Sequence, residues 1–227
     1  MTKWPEKVGI SYTETVRDYW KRRLHQHHYD YYKGRSLMKL PEDLRAYQHL
    51  IERIKPELIL EFGTGFGASA VWFADQLDTF CGGGEVVTVG NHWVPNDSDT
   101  GRAFHDDKRI TFVEGDLTHP EIVSRVHELC VGKRVMICED SAHTYSNTLF
   151  VLKEYSDLVP VGSWFVVEDG IIDEPEITIW GSGPGSGGVQ PAIKDFRETE
   201  QGSRFMQHDL AFYGVTMHFN GWLEAER

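Results

Sequence analysis

The chain has 227 residues and a formal net charge of −12, from 35 acidic and 23 basic side chains. Hydrophobic residues make up 40% and aromatic residues 12% of the chain, enough to fill a core, which excludes disordered and fibrous proteins. The acidic balance argues against a general nucleic-acid binder and against a protein that binds anionic membranes, because both need a basic face. The length suits one domain, or one domain with a small additional segment.

No apolar run reaches the roughly 18 residues that a membrane span needs, and residues 1–32 lack the apolar stretch of a secretory signal. Three cysteines, an odd number without CxxC spacing, make a disulfide framework and a zinc cluster unexpected: Cys81, Cys130 and Cys138. We therefore expect a reduced, cytoplasmic protein that binds a small-molecule substrate, with neither nucleic acid nor a membrane as partner.

The first 35 residues are rich in aromatic side chains and arginines, and the pattern predicts a helix from about Ser11 to Tyr32. Apolar surface of this extent is normally covered, either by the main domain or by a second subunit in a homo-oligomer. We divide the chain into this N-terminal helical segment, 1–35, and a main domain, 36–227. The histidines of residues 25–28 have no carboxylate at ligand spacing, so no metal site is expected there.

The main domain begins with a predicted helix from Pro41, which has Glu42 and Asp43 in its first turn. Five residues at helical spacing form its apolar face: Leu44, Tyr47, Leu50, Ile51 and Ile54. Pro56 ends this helix. The remaining predicted elements, in chain order, are strand 58–60, helix 68–77, strands 86–89 and 110–113, helix 120–130, strand 135–138, helix 145–158, strand 164–167, helix 190–200 and strands 205–209 and 214–219.

Short apolar strands that alternate with helices indicate a mostly parallel sheet covered on both faces. Right-handed crossovers then give an α/β, doubly wound, Rossmann-like sheet. The last two strands are predicted to form an antiparallel hairpin. A glycine-rich loop, 181–188, together with Trp164 and Trp180, is expected to shape the mouth of the substrate site.

The motif Glu61-Phe62-Gly63-Thr64-Gly65-Phe66-Gly67 lies between a strand and a helix. Glycines let the backbone approach a ligand, and the helix N-terminus behind them offers free N–H groups. The alternative is a plain strand–helix turn. The opening acid and the alternate glycines resemble motif I of the class I S-adenosylmethionine-dependent methyltransferases, in which the acid lies near the methionine amino end of the cofactor. Four residues of the motif besides Glu61 are expected to bind the cofactor: Gly63, Thr64, Gly65 and Gly67.

Acidic residues follow two later strands, as Glu139-Asp140 and Glu168-Asp169. Parallel strand ends open onto one edge, so four carboxylates would crowd one crevice and raise each other's pKa values. A hard cation such as Mg²⁺ relieves this repulsion. Asp140, Glu168 and Asp169 form a plausible metal set. The alternative is that these acids cap helices or are solvated in loops.

His143 lies three residues beyond Asp140. Beside a metal it could act with Asp140 as a catalytic residue and take the proton of a substrate hydroxyl. The alternative is that His143 caps the helix that begins near Ser146.

Several stretches resemble the cephalosporin hydroxylase family, which includes the rhamnosyl O-methyltransferases. They are Leu37–Asp43, Glu61–Gly67, Asp140–Thr144, Leu158–Asp169 and Asn220–Leu223. The resemblance covers roughly residues 35–227 and implies a methyltransferase fold with S-adenosylmethionine and Mg²⁺ sites. It implies that the metal is held by Asp140, Glu168 and Asp169, and that the cofactor pocket is bordered by Glu61, Gly63, Gly65 and Asp116.

The chain departs from the usual methyltransferase pattern after its second main-domain strand, where an acid normally holds the ribose hydroxyls. Gly90 and Asn91 stand there instead. Asn91 could bind the ribose without a charge, and neutral hydrogen bonds are the weaker kind.

From the resemblance and the acidic residues at the strand ends, we expect a Mg²⁺-dependent O-methyltransferase of a polar natural product, antibiotic or sugar-like, in secondary metabolism. The alternatives are a non-methylating enzyme on the same scaffold, such as a hydroxylase partner, lyase or cyclase, or a non-catalytic partner subunit.

Overall fold

The computed structural model describes residues 13–91, 106–177 and 187–227. In these ranges the α-helices are α1 (Val16–Leu24), α2 (Pro41–Ile54), α3 (Ala68–Cys81), α4 (Pro120–Cys130), α5 (Tyr145–Tyr155) and α6 (Val189–Arg197). The strands are β1 (Tyr31–Tyr32), β2 (Arg35–Ser36), β3 (Leu58–Phe62), β4 (Glu85–Gly90), β5 (Ile110–Glu114), β6 (Val135–Glu139), β7 (Trp164–Val167), β8 (Phe205–His208) and β9 (Trp222–Ala225). None of the helices described has the length and apolar character that crossing a bilayer requires.

The main sheet has seven strands in the order β5-β4-β3-β6-β7-β9-β8. The first five of these are parallel, whereas β9 runs antiparallel to both β7 and β8. The strand order reverses at β3, which has β4 on one side and β6 on the other. This arrangement confirms the predicted Rossmann-like fold. In such sheets ligands bind at the carboxyl ends of the strands beside the reversal, here β3 and β6.

Side chains alternate between the two faces of the sheet, and this alternation decides which layer each strand residue enters. Leu60 and Phe62 pack in the core beneath α4, α5 and α6. Glu61, between them in sequence, therefore points into the other layer, which is formed with α2 and α3. Its cross-strand neighbours on that face are Thr88 of β4 and Cys138 of β6. An acid thus enters the mainly apolar α2–α3 layer at the point where the sheet reverses.

The N-terminal helix is shorter than predicted. It ends at Leu24, a 3-10 turn covers His25–Tyr29, and β1 and β2 then form a separate antiparallel hairpin. The turn of the hairpin consists of Lys33 and Gly34, with φ values of 48° and 83°. Positive φ at both central residues is what a two-residue hairpin turn needs, so the chain reverses directly after the stretch that was predicted as helix.

α1 packs on the main domain of the same chain. Leu24 is 1% exposed and belongs to the core beneath α4, α5 and α6. Trp20 stacks on Phe219 with ring centroids 5.9 Å apart, and Arg23 forms an ion pair with Glu42 at 2.8 Å. These contacts support the main domain as a partner of the aromatic segment. The division of the chain at residue 35 stays a prediction.

Two predictions for the second half of the chain are wrong. The last strand is β9 rather than 214–219, because the backbone of that stretch bonds elsewhere: Met217 N–H donates to Asp43 Oδ2 at 2.9 Å, and Ile171 N–H donates to the Met217 carbonyl at 2.9 Å. Trp164, expected at the substrate mouth, is 1% exposed and packs in the α2–α3 layer. Outside the described residues lie Trp4, Tyr12, His92, Trp93, Trp180 and residues 181–186 of the glycine-rich loop.

Leu24→Ala should lower the free energy of unfolding by about 2–4 kcal/mol, because it leaves a cavity where α1 meets the core. Val16→Ala on the same helix is the matched control. Val16 is 79% exposed, so this change should alter the free energy by less than about 0.5 kcal/mol. Urea unfolding followed by circular dichroism measures both. Equal midpoints for Leu24→Ala and the wild type would show that α1 does not pack on the core in solution.

Candidate active site

The loop between β3 and α3 carries the glycine motif, and its glycines have different surroundings. Gly63 has a φ of 102°, and a Cβ there would lie 1.8 Å from the Asp140 carbonyl oxygen, so the close approach of β3 and β6 requires glycine. At Gly65, with a φ of 48°, a Cβ would meet nothing within 4 Å. Gly67 precedes α3, which has no side-chain cap. An open loop before an uncapped helix leaves N–H groups that a ligand can use.

Two clefts meet at this loop, and four residues line both: Gly63, Thr64, Gly65 and Ser141. The first cleft, of about 320 Å³, reaches the ends of β4 and β5, where Asn91 and Asp116 line it. The second, of about 340 Å³, reaches the ends of β6 and β7, and its ionisable lining residues are Asp140, His143 and Asp169. Cavities of this volume hold cofactor-sized ligands. Five of the seven predicted cofactor-binding residues thus line these clefts.

Glu61, the opening acid of the motif, lies behind the loop. Its buried Oε2 accepts a hydrogen bond from the Thr88 hydroxyl at 2.7 Å, and Thr88 Oγ1 lies 2.8 Å from Thr64 Oγ1. Because the single hydroxyl proton of Thr88 goes to Glu61, Thr64 must donate to Thr88. Burial raises the pKa of Glu61 to about 7, although the charge of Lys39 opposes the rise. Glu61 therefore supports the loop through two hydroxyl groups.

A lysine that the sequence analysis did not select as a site residue lies at the centre of the acidic cluster. Lys39 Nζ donates to Asp140 Oδ2 at 2.9 Å and to both carboxylate oxygens of Glu168 at 2.7 and 2.6 Å. Lys39 is 2% exposed. Burial alone would lower the pKa of the Lys39 ammonium, but the charges of Asp140 and Glu168 raise it well above its ordinary value. A permanent cation therefore lies between two of the three predicted metal ligands.

Glu168, which follows β7, is bonded towards the protein interior. Besides its bonds to Lys39, Oε1 accepts from the Tyr47 hydroxyl at 2.7 Å and from Cys138 Sγ at 2.9 Å. Burial and nearby negative charge raise the pKa values of Tyr47 and Cys138 well above their usual range, so both keep their protons and remain donors. An ionised carboxylate offers about four lone-pair sites, and these protein donors fill most of them.

Asp140 and Asp169 face the second cleft with the ring of His143 between them. His143 Nε2 lies 3.5 Å from Asp140 Oδ1 and 3.4 Å from Asp169 Oδ2. Burial would lower the pKa of His143, but Asp169 and Asp140 raise it above its ordinary value. Burial raises the pKa of Asp169 well above its own ordinary value, against the charge of His143. Ligand atoms of these three residues lie within 4.8 Å of one another, a spacing that can hold a metal ion.

Glu168, Asp169 and His218 form a second group with the same spacing. Asp169 N–H donates to His218 Nδ1 at 3.2 Å, and burial lowers the pKa of His218 to about 4, so its ring is neutral. His218 Nε2 lies 3.7 Å from Glu168 Oε2. The three predicted metal ligands therefore belong to two groups: Asp140 lies in the first, Glu168 lies in the second, and Asp169 belongs to both. Sequence reasoning missed His218 because that stretch had been predicted as strand.

The fourth predicted acid does not belong to this cluster. Glu139 points to the opposite face of the sheet, where it accepts hydrogen bonds from Asn147 Nδ2 at 3.3 Å and from the Ser141 hydroxyl. The crowding of four carboxylates is thereby reduced to three. The alternative that His143 caps the next helix is wrong, because the N-cap of α5 is Thr144, whose hydroxyl accepts from Asn147 N–H at 3.4 Å.

Three non-glycine residues around the site have left-handed backbones: Met38, His143 and Asp169, with φ values of 55°, 52° and 58°. This conformation costs roughly 1–2 kcal/mol per residue and is least unusual for Asp and His. Met38 immediately precedes Lys39 and Asp169 immediately follows Glu168, so both turns adjoin the buried ion pair. Backbone strain of this kind concentrates at functional sites, where surrounding structure holds it.

The strand order, the glycine loop at the strand reversal and the paired clefts define a Rossmann-like fold of the methyltransferase type. A family model described as Rhamnosyl O-methyltransferase/CmcI matches residues 25–225. The chain therefore belongs to the rhamnosyl O-methyltransferase/CmcI family, which confirms the resemblance seen in the sequence.

Mycobacterial proteins are among the relatives of this chain. The rhamnosyl O-methyltransferase of Mycobacterium tuberculosis (strain H37Rv) is 32% identical over 157 residues, which cover 67% of this chain and 62% of the relative. That of Mycobacterium leprae is 29% identical over 198 residues, or 84% and 80% of the two chains. The match to the tuberculosis protein thus spans somewhat less than two thirds of that relative.

Solved structures share the fold at low sequence identity. A CmcI apo-structure has a TM-score of 0.66 and 18% identity, with 99% of this chain and 90% of that chain covered. A cmcI structure with Mg and SAM gives a TM-score of 0.62 with the same identity and coverage. The MycE methyltransferase in complex with Mg, SAH and mycinamycin VI gives 0.56 at 16% identity, with 82% and 48% covered.

Gly63→Ala should destabilise the protein strongly, because the new Cβ would lie 1.8 Å from the Asp140 carbonyl and the residue would keep an unfavourable positive φ. Gly65→Ala is the matched control: it adds the same atom in open space, so only the backbone cost of roughly 1 kcal/mol should appear. Thermal unfolding of both variants measures the difference. If the two variants melt together, close packing of β3 on β6 is not what requires Gly63.

Proposed function

We propose that the protein is an S-adenosylmethionine-dependent O-methyltransferase that acts on a hydroxyl of a polar natural product, antibiotic or sugar-like, in secondary metabolism. The observation that carries this proposal is the pair of clefts at the glycine loop, one with polar groups suited to a nucleoside and one with two acids and an imidazole. The relatives named rhamnosyl O-methyltransferase, and the MycE complex with mycinamycin VI, support an acceptor of this kind.

The first cleft is the proposed seat of the adenosine part of the cofactor. Asn91 and Asp116 are among its polar groups, and the loop 63–67 offers backbone N–H groups. Thr118 donates to Asp116 from its backbone N–H and its hydroxyl, which lowers the pKa of Asp116 and keeps it ionised. A cationic amino group near the loop would favour the ionised form of Glu61, whose pKa burial raises to about 7. S-adenosylmethionine bound here would offer an electrophilic methyl group for transfer to an acceptor oxygen, with the carbon–sulfur bond breaking as the carbon–oxygen bond forms.

The second cleft is the proposed metal and acceptor site. The donor set fits Mg²⁺, because Asp140 and Asp169 present carboxylate oxygens to the cleft and Mg²⁺ is commonly held by one or two carboxylates and several waters. Glu168 completes the set predicted from the sequence, although in this structure it is bonded to Lys39. A bound Mg²⁺ would make an acceptor hydroxyl more acidic.

His143 is the proposed base. Its Nε2 lies between Asp140 and Asp169, so it would adjoin an acceptor hydroxyl bound at the metal. The two carboxylates favour the imidazolium that forms when His143 takes the hydroxyl proton. Asp140 would thus act both as a metal ligand and as a group that orients the base.

A non-methylating enzyme on the same scaffold remains the second candidate. The observation in its favour is Asn91, which stands at the end of β4 where methyltransferases usually place a ribose-binding acid. A non-catalytic partner subunit has less support, because a pure scaffold has no need of a buried Lys39 and three carboxylates in one cluster.

We further propose a homo-oligomer in the cytoplasm. Two neighbouring aromatic residues, Phe212 and Tyr213, are 56% and 52% exposed. Aromatic side chains are enriched where subunits meet, which supports a second subunit on this surface.

Asn91→Asp should tighten the binding of S-adenosylmethionine by about 5- to 30-fold, because a charged acceptor adds about 1–2 kcal/mol over a neutral one. Gly90→Asp is the comparison. Its Cβ would lie 2.9 Å from Thr64 Oγ1, so the acid at this neighbouring position should weaken binding. Calorimetric titration with S-adenosylmethionine and S-adenosylhomocysteine measures both.

Tight binding by the wild type with no gain in Asn91→Asp would mean that another group holds the ribose. Absence of binding at millimolar cofactor, with Mg²⁺ present, would overturn the methyltransferase proposal and favour the non-methylating enzyme.

Asp169→Asn and Asp140→Asn should each weaken Mg²⁺ binding by at least about tenfold, since each removes a carboxylate ligand. Glu139→Gln is the control, because Glu139 lies on the other face of the sheet and should leave the affinity unchanged. Burial raises the pKa of Asp169 above its unfolded value, so its charge destabilises the fold at neutral pH. Asp169→Asn should therefore melt no lower than the wild type without metal. Unchanged Mg²⁺ affinity in both variants, measured by calorimetry, would contradict the metal site.

A further inference from the structure

We propose that Thr88 is a positioning residue of the cofactor site, which holds the side chain of Thr64 over Gly90 and thereby fixes the loop wall that both clefts share. The inference rests on the proposed binding of S-adenosylmethionine at this loop. It makes the affinity for the cofactor depend on a hydroxyl group that lines neither cleft.

Thr88 lies where an apolar side chain would fit equally well. It is the cross-strand neighbour of Glu61 and, like Glu61, is 0% exposed on the side of the mainly apolar α2–α3 layer. Valine has the same shape and would fill this space without a polar group. A buried hydroxyl is costly unless it is hydrogen-bonded, and that of Thr88 makes two bonds. It donates to Glu61 Oε2 at 2.7 Å and accepts from the Thr64 hydroxyl at 2.8 Å.

Thr64 is held by its side chain and by its backbone. Its hydroxyl has one proton, which goes to Thr88, so that proton is directed towards β4 and not towards a ligand in the clefts. The Thr64 carbonyl accepts from Gly67 N–H at 2.7 Å, which closes the turn that leads into α3. Gly63 N–H donates to the Val89 carbonyl at 2.8 Å. The loop is therefore tied to two adjacent residues of β4, by backbone at Val89 and by side chain at Thr88.

Gly90 packs directly against the side chain of Thr64. A Cβ on Gly90 would lie 2.9 Å from Thr64 Oγ1 and 3.2 Å from Thr64 Cβ. Gly90 ends β4 and is not among the glycines with positive φ, so glycine is needed here for space and not for conformation. Both residues line the first cleft, and together they determine its shape at the end of β4.

These contacts make Thr88 and Gly90 interdependent through Thr64. While Thr88 accepts the hydroxyl proton of Thr64, residue 90 has no room for a side chain. Without the hydroxyl of Thr88, Thr64 loses this acceptor and can turn to another rotamer, which opens space at residue 90 and loosens the turn before α3. The cofactor would then bind to a loop that must first be ordered, and the cost of ordering weakens binding.

The test is calorimetric titration of the full chain with S-adenosylhomocysteine. Thr88→Val should weaken binding at least about tenfold, because it leaves the hydroxyl of Thr64 without its acceptor. Thr88→Ser keeps the hydroxyl and should bind within about threefold of the wild type. The matched control is Thr148→Val. Thr148 is also 0% exposed, but its hydroxyl has no hydrogen-bond partner among the described residues, so the affinity should not change.

Gly90→Ala separates positioning from stability. In the wild type it should weaken binding by about fivefold or more, because the new Cβ would meet Thr64. In the Thr88→Val background, where Thr64 can turn away, the same change should weaken binding by less than about twofold, because residues that share a contact have non-additive effects. A role in stability alone would lower the melting temperatures without coupling the two effects on affinity.

Unchanged affinity in Thr88→Val, or an equal effect of Gly90→Ala in both backgrounds, would overturn the proposal. Circular dichroism checks folding before each titration. If Thr88→Val does not fold, Thr64→Ala replaces it as the background, since it removes the hydroxyl that meets residue 90, and Gly90→Ala should again be tolerated there. Failure of the wild type to bind S-adenosylhomocysteine would overturn the proposed cofactor as well, whereas binding by all variants alike would overturn only the role of Thr88.

Discussion

The buried ammonium of Lys39 joins three elements that are distant in sequence: the start of α2, the end of β6 and the end of β7. Transfer of charges from water into a protein interior costs several kcal/mol per ion, and the cost is offset only when geometry and further hydrogen bonds are good. Tyr47 and Cys138 supply those further bonds to Glu168. Removal of one partner of a buried ion pair typically lowers the free energy of unfolding by about 3–5 kcal/mol. The same contacts therefore contribute both to the electrostatics of the cleft and to the stability of the fold at the carboxyl ends of β6 and β7.

The second constraint is the contact of Gly63 with the Asp140 carbonyl, which brings the ends of β3 and β6 together. This approach places the glycine loop beside the acids, so that both clefts share the loop as a common wall. Behind it, Glu61, Thr88 and Thr64 hold the loop from the α2–α3 layer. The nucleoside-sized cleft and the acidic cleft therefore lie next to each other, separated by a few loop residues. Group transfer between two bound molecules requires that they be held close together in this way.

Local pattern was enough to predict most of the fold and part of the site. The alternation of strands and helices, the glycine motif and the acids after β6 and β7 follow from residues adjacent in sequence. Lys39 was missed because its partners lie 101 and 129 residues away, and its own neighbourhood indicates only the start of a helix. His218 was missed because the apolar character of 214–219 predicted a strand, whereas Asp43 and Ile171 take its backbone bonds. Burial and long-range pairing of charge cannot be deduced from spacing alone.

A crystal structure of the protein with Mn²⁺ and S-adenosylhomocysteine, with the ion located by anomalous scattering, tests the central claim most directly. We predict Mn²⁺ in the second cleft, bound by carboxylate oxygens of Asp140 and Asp169. A crystal with S-adenosylhomocysteine bound and no anomalous signal in this cleft would contradict the proposed metal site.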